Sequence, residues 1–398
     1  MSVYTNGTLE GWQNGGDDRS SWNILWSSLF TIFGCTWTVL HMNVPPPGAS
    51  KLQNFCRKLR WLLITAIAPE LITSYAFGEF LQARRLLADL KTSGVGQSSW
   101  GLAHAFFLEM GSIQLQTKDG SKIPLCSSDS TDDGWQQPSL NPDLFALKRK
   151  KLLQYPEITK LEIEDRSKAD TFAKTFTLLQ SSWFVLNVVG RRIQCLPISP
   201  LELSCIAYVF CTLITYMFWW CKPKDILTTM TVPCAFSLSE TPPQIQASII
   251  NFNKAPTRTC HYRWRKLHLP DTESQVLSVI RGRIPALMGL LVGLVFCCIH
   301  ISAWNHTFPS NVERILWRIC NVGAAGVPIV CVAIVYIRSI APAKFDALWA
   351  FVLAFYILLI SFYFFARLAV VVMLFTTLRA LPARTYVTLD WGKAIPHL

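Results

Sequence analysis

The chain has 398 residues, of which 51% are hydrophobic and only 16% charged, with a mean hydropathy of +0.31. Soluble domains carry about 25% charged residues, so this composition excludes an ordinary water-soluble globule. The net charge of +12 does not imply a nucleic-acid partner: the basic residues lie in loops beside apolar segments, as anionic lipid and the positive-inside rule require, and no basic stripe is interleaved with aromatic rings.

In chain order, the polar segment 1–20 lacks the basic start of a cleavable signal peptide. The first predicted span is Trp22–His41, and the second is Trp61–Ala83, interrupted by Pro69 and Glu70. Ser98–Gln116 is a short third candidate, followed by a polar loop at about 117–170. Thr171–Gly190 and Ile198–Trp220 come next, then a second polar loop at about 221–283. Ile284–Trp304, Ile319–Ile337 and the stretch from Leu348 to about Leu378 complete the set. A hydrocarbon core about 30 Å thick needs about 20 apolar residues in a helix, and helix satisfies every backbone group in lipid. The expected fold is an all-α, polytopic transmembrane bundle of seven or eight spans, forming a single domain over 1–398 with both polar loops in the cytoplasm. Eight spans with an outside N-terminus place most Lys and Arg in the cytoplasm. The sequons at Asn6 and Asn305 then fall outside as glycosylation candidates. The endoplasmic reticulum is the expected compartment.

Ionisable groups inside spans cost about 2.5–3.5 kcal/mol on insertion scales, which makes each a functional candidate. Glu70 follows a proline in mid-span, where a desolvated carboxyl would keep its proton and serve as a general acid; the structural alternative is a packing hydrogen bond to an Arg or Trp. His104 and Glu109 either serve one cavity or mark an amphipathic segment on the membrane surface. Arg367 has no partner in its own helix and needs an acid elsewhere, with Glu70 and Glu109 as the candidates. Glu162, Glu164 and Asp165 form an acid-x-acid-acid run that resembles the D-x-D-D acid of protonating terpene cyclases; a solvated helix explains the same run. The 13 Cys include no C-x-x-C pair and read as small hydrophobes. Cys297, Cys298 and His300 lack a second ligand pair, so no metal or other cofactor is expected.

Several ordered phrases carry a resemblance: CTWTVLHMNVP (35–45), APE (68–70), LEIEDRSKAD (161–170), Gln180 with Trp183-Phe184, WWCKPKD (219–225) and the tail RALPARTYVTLDWGKAIPHL (379–398). Over almost its whole length the chain resembles a large group of fungal polytopic membrane proteins. A minority of these look like the integral membrane terpene cyclases of meroterpenoid biosynthesis, the ascofuranone and macrophorin type. The resemblance implies cyclisation of a farnesylated substrate by protonation of an alkene or epoxide, without a metal. Such a reaction needs a dry, protonated carboxyl and aromatic faces that stabilise positive charge. The candidate acids are Glu70, Glu109 and Asp165; His104, Phe106, Phe107, Trp183, Phe184, Trp219, Trp220 and Arg367 are candidates to line the substrate site. The implied partners are a lipid-soluble prenylated small molecule, the membrane and other enzymes of the pathway. A membrane transporter, or a non-catalytic scaffold or receptor, is the alternative.

Overall fold

The computed structural model describes residues 9–14, 19–45, 48–92, 99–120, 122–124, 126–128, 138–140, 158–233, 237, 239, 273–340 and 346–391. Asn6 lies outside them. The described chain is mostly helical: α1 (Ser21–Thr38), α2 (Lys51–Ile67), α3 (Pro69–Thr92), α4 (Leu102–Glu109), α5 (Lys160–Asp165), α6 (Lys168–Ile193), α7 (Pro200–Trp219), α8 (Glu273–Ile301), α9 (Asn311–Ile340) and α10 (Asp346–Thr376). Among the described residues, four helical stretches are long and apolar enough to cross a membrane: Pro200–Trp219, Ile284–Ile301, Asn311–Ile334 and Phe351–Arg379. The bent pair α2–α3 is a fifth candidate if taken as one unit. Phe351, Leu358 and Phe365 on α10 stand exposed, which suits lipid and not water.

Short strands mark the two ends of the bundle. β1 (Leu9–Glu10) pairs antiparallel with β7 (Leu381–Pro382), bringing the two terminal regions to one face. At the opposite face β2 (Ile113–Gln116) lies between β3 (Lys122–Pro124), antiparallel, and β6 (Met230–Pro233), parallel. A separate pair, β4 (Cys126–Ser128) and β5 (Pro138–Leu140), is also antiparallel. The strands are a small addition to the expected all-α fold.

Helix packing follows close approach and buried hydroxyls, the two sources of adhesion available in lipid. Along α1 and α7, Cys205 donates to the Ser28 carbonyl at 3.4 Å, Thr212 donates to the Cys35 carbonyl at 3.3 Å, and Thr38 meets Tyr216 at 2.7 Å. The two helices therefore run parallel. α3 and α8 run antiparallel, with Ser74 donating to the Pro285 carbonyl at 2.7 Å. Here α8 presents Gly289 and Gly293: a Cβ on Gly289 would lie 2.8 Å from Ser74 Cβ, and one on Gly293 would lie 3.1 Å from Glu70 Cγ. Gly289→Val should overpack this contact by about 1–3 kcal/mol, read as a lower melting temperature in detergent.

Two expected spans are corrected. Trp61–Ala83 is not one straight helix but parts of α2 and α3, bent by 114°. Pro69 supplies no amide hydrogen, and the residue before a proline is barred from helical geometry; Ala68 sits at φ −140°, ψ 74°. Ser98–Gln116 does not form a crossing helix either. Its helical part, α4, has 8 residues, about 12 Å at 1.5 Å per residue. Gly111, at φ +75°, then turns the chain into β2.

Candidate functional site

The helix break explains the charge pair beside it. Ending α2 at Ile67 leaves its last carbonyls without intrahelical donors. Tyr208 donates its hydroxyl to the Ala66 carbonyl, and Arg367 Nε donates to the Ile67 carbonyl at 2.9 Å. Arg367 Nη2 also donates to Glu70 Oε2 at 3.1 Å, while the Tyr363 hydroxyl donates to Glu70 Oε1. Glu70 occupies the first turn of α3, where a negative charge complements the helix dipole, and Arg367 sits at the end of α2, where a cation does. The guanidinium also lies 4.1 Å from the Phe296 ring centre. Glu70 and Arg367 are only 6% and 3% exposed, so neither group has water as a substitute partner. Both oxygens of Glu70 accept hydrogen bonds, an arrangement that closes a broken helix.

A second cluster lies where α3, α4 and the end of α7 meet near the sheet. Lys222 Nζ is 2.6 Å from Glu79 Oε2 and 2.8 Å from Asn43 Oδ1, and Trp219 Nε1 donates to the same Glu79 oxygen at 2.8 Å. Lys222 also stands 4.9 Å from the Trp219 ring. Glu109, at the end of α4, has a buried Oε2 with no hydrogen-bond partner among the described residues. Burial first, and the Glu79 carboxylate second, push the Glu109 carboxyl well above the usual carboxylate range, with Lys222 opposing them. Phe106, Phe107 and Trp219 are buried in the same apolar cluster, against which Trp61, Tyr75, Phe80 and Phe218 pack.

The cluster does not include every residue expected in the site. His104 accepts from the Gly101 amide through Nδ1 at 3.1 Å, and its Nε2 lies 3.1 Å from the Ile158 carbonyl, so it fastens α4 to the start of α5. Burial holds its imidazole below the ordinary value, in keeping with one nitrogen accepting and the other donating. Phe184 packs with Val188 and Cys205, away from the sheet. Trp183 is exposed and stacks on Trp391 at 5.4 Å. Trp220 is exposed too, and its carbonyl accepts from Lys174 at 3.1 Å. Asp165 lies at the surface, paired with Lys168 at 2.5 Å, while Glu164 pairs with Lys160 at 3.2 Å and Glu162 caps α5 through Thr159. The acid-x-acid-acid run thus forms a cap and two surface ion pairs. Asn305 is exposed in the turn between α8 and α9.

Sequence reasoning passed over Glu79 and Lys222. Glu79 was legible as a second acid within Trp61–Ala83, nine positions after Glu70. Lys222 stands inside the quoted WWCKPKD phrase, but nothing in the sequence shows that it turns back to meet α3. Among the described residues no three His, Cys, Asp or Glu side chains gather as a metal site.

No curated protein and no solved structure matches the chain. A family of unknown function, DUF8562, matches residues 2–237, which include Glu70, Glu79, Glu109 and Lys222 but not Tyr363 or Arg367. With more than half of its length matched, the chain belongs to this family of unknown function, DUF8562.

Proposed function

We propose that the chain is an integral membrane cyclase that protonates a farnesylated, lipid-soluble substrate, and that Glu109 holds the initiating proton. The observation that carries this reading is the Glu109 Oε2, buried with no hydrogen-bond partner among the described residues. Glu109 stands three and two positions from Phe106 and Phe107 of an apolar cluster rich in rings, where burial and Glu79 raise the carboxyl's affinity for its proton. Cyclisation started by protonation places positive charge on carbon, and ring faces stabilise such charge without capturing it. Burial first, and the Glu79 carboxylate second, favour the proton on Glu109 until an alkene or epoxide takes it, while Lys222 fixes Glu79 in place and partly offsets its charge. The reading moves the acid role from Glu70, whose oxygens are both engaged, to Glu109, which has a free one.

Microsomes carrying the wild-type chain, incubated with a farnesylated epoxide, are expected to yield a cyclised isomer of unchanged mass. Return of the intact precursor from well-folded protein would overturn the reading. The bent α2–α3 pair favours transport as a second reading, because broken helices line many transporter sites. Accumulation of the unchanged precursor inside sealed vesicles would identify that activity.

The proposed topology has six crossings, α1, α6, α7, α8, α9 and α10, with α2–α3 entering and leaving from the sheet face. It places both termini on one side, consistent with the β1–β7 pairing. The lysines and arginines of α2 and α3 then lie on the cytoplasmic side, as the positive-inside rule requires. Cys56 and Cys221, exposed at the sheet face, and Cys195, exposed at the terminal face, provide the check. In sealed microsomes, an impermeant maleimide should label single-cysteine variants at Cys56 and Cys221 and spare Cys195 until detergent is added. We place the chain in the endoplasmic reticulum membrane, where Asn305 would face the lumen.

A further inference from the structure

The molecule has a second polar feature that the cyclase reading does not use: a cleft between the end of α1 and the first turns of α2. Its volume is about 150 Å³, and its lining includes Trp37, Asn43, Asn54, Phe55, Arg57 and Lys58. Lys58 is neutralised by Asp225, at 3.0 and 3.2 Å, and lies 4.6 Å from the Trp37 ring. Arg57 differs. Its Nη2 donates to the Asn43 carbonyl at 3.0 Å, its Nε is buried without a partner, and no acid pairs with it among the described residues. Among the described residues the cleft therefore carries one uncompensated guanidinium, with the side-chain amide of Asn54 along the same wall.

Its surroundings indicate what the occupant must look like. Leu52, Phe55, Leu59 and Leu63 are exposed, and their spacing puts them along one side of α2. An apolar stripe on a helix whose other side carries basic residues suits the membrane interface. Trp37 and Phe55, 6.4 Å apart, form an aromatic rim of the kind found at headgroup level. The volume accepts a phosphate-sized group and not acyl chains, which would leave over that rim into the bilayer.

We infer that this cleft binds the phosphate headgroup of an anionic membrane lipid, with Arg57 as its cationic anchor. Arg57 offers a charge-assisted hydrogen bond to a phosphate oxygen, Asn54 donates a neutral one, and the lipid chains lie beside Phe55 and Leu52. The inference does not rest on the cyclase reading: Arg57, Asn54, Phe55 and Leu52 lie outside the Glu79–Glu109 cluster, and Asn43 alone touches both, through its carbonyl here and its side-chain oxygen there.

The test uses the delipidated full-length chain in detergent and native mass spectrometry. Its probes are dioctanoyl phosphatidate, dioctanoyl phosphatidylcholine and inorganic phosphate. Phosphatidate should bind at least about tenfold more tightly than either of the others. Arg57→Gln should weaken that binding at least about tenfold, in line with loss of one charge-assisted contact. Asn54→Asp should do the same by adding a negative charge, and it removes no side-chain hydrogen bond of the described structure. If Arg57→Gln fails to fold, Asn54→Asp decides. Equal binding of the two lipids, or unchanged binding in a folded variant, would overturn the assignment. Inorganic phosphate binding as tightly as phosphatidate would make the cleft a free-anion site and overturn the lipid assignment too.

Discussion

Arg367→Leu is expected to destabilise the protein by about 3–5 kcal/mol, the cost of stranding one charge of a buried pair. Three consequences combine. Glu70 loses the cation at 3.1 Å, the Ile67 carbonyl loses its donor, and the Phe296 ring loses the charge above it. The double variant Glu70→Leu/Arg367→Leu should recover much of the loss, because removing both charges also removes their desolvation cost. The Ile67 carbonyl and the Tyr363 hydroxyl are then left without their partners, at about 1–3 kcal/mol each. Melting curves of the two single variants and the double variant in detergent give the coupling energy directly. Additive effects would mean that the two side chains do not act as a pair across the helix break.

Glu109→Gln is expected to separate stability from chemistry. If Glu109 is neutral in the folded chain, glutamine reproduces its shape and charge, so the variant should fold normally. Without a transferable proton, however, cyclisation should fall by about 10²–10⁴-fold, the usual contribution of a positioned acid. A pH signature accompanies this. The folded chain keeps a proton on Glu109 at pH values where the unfolded chain has lost it. That stability is fully present below the ordinary carboxylate value and is lost as pH rises through the higher folded value. Melting temperatures of the wild type should therefore decline from mildly acidic to alkaline pH, and Glu109→Gln should flatten this part of the decline. A variant with reduced stability but full turnover would remove Glu109 from the acid role.

The apolar scaffold was readable from local composition, because lipid imposes long uncharged helices. Ile284–Ile301 and Pro200–Trp219 lie within predicted spans for that reason. The pairing of Arg367 with an acid was legible too, since an arginine in an apolar helix requires one; Glu70 was one of two candidates. What composition could not show was direction. Pro69 turns one apolar run back on itself, and Gly111 ends another after 8 helical residues, so length and hydropathy alone make both look like spans. The cluster at Glu109 was half legible. Its acid and rings are local features of Leu102–Glu109, but Glu79 and Lys222 reach it only through the tertiary contacts of α3 with α7.

Infrared difference spectroscopy of the chain in lipid nanodiscs, comparing wild type with Glu109→Gln at neutral pH, tests the protonated acid most directly. We predict a protonated-carboxyl carbonyl band in the wild type that the variant lacks. A carboxylate band at that position instead would show Glu109 ionised, and no proton would then be stored there for delivery to a substrate.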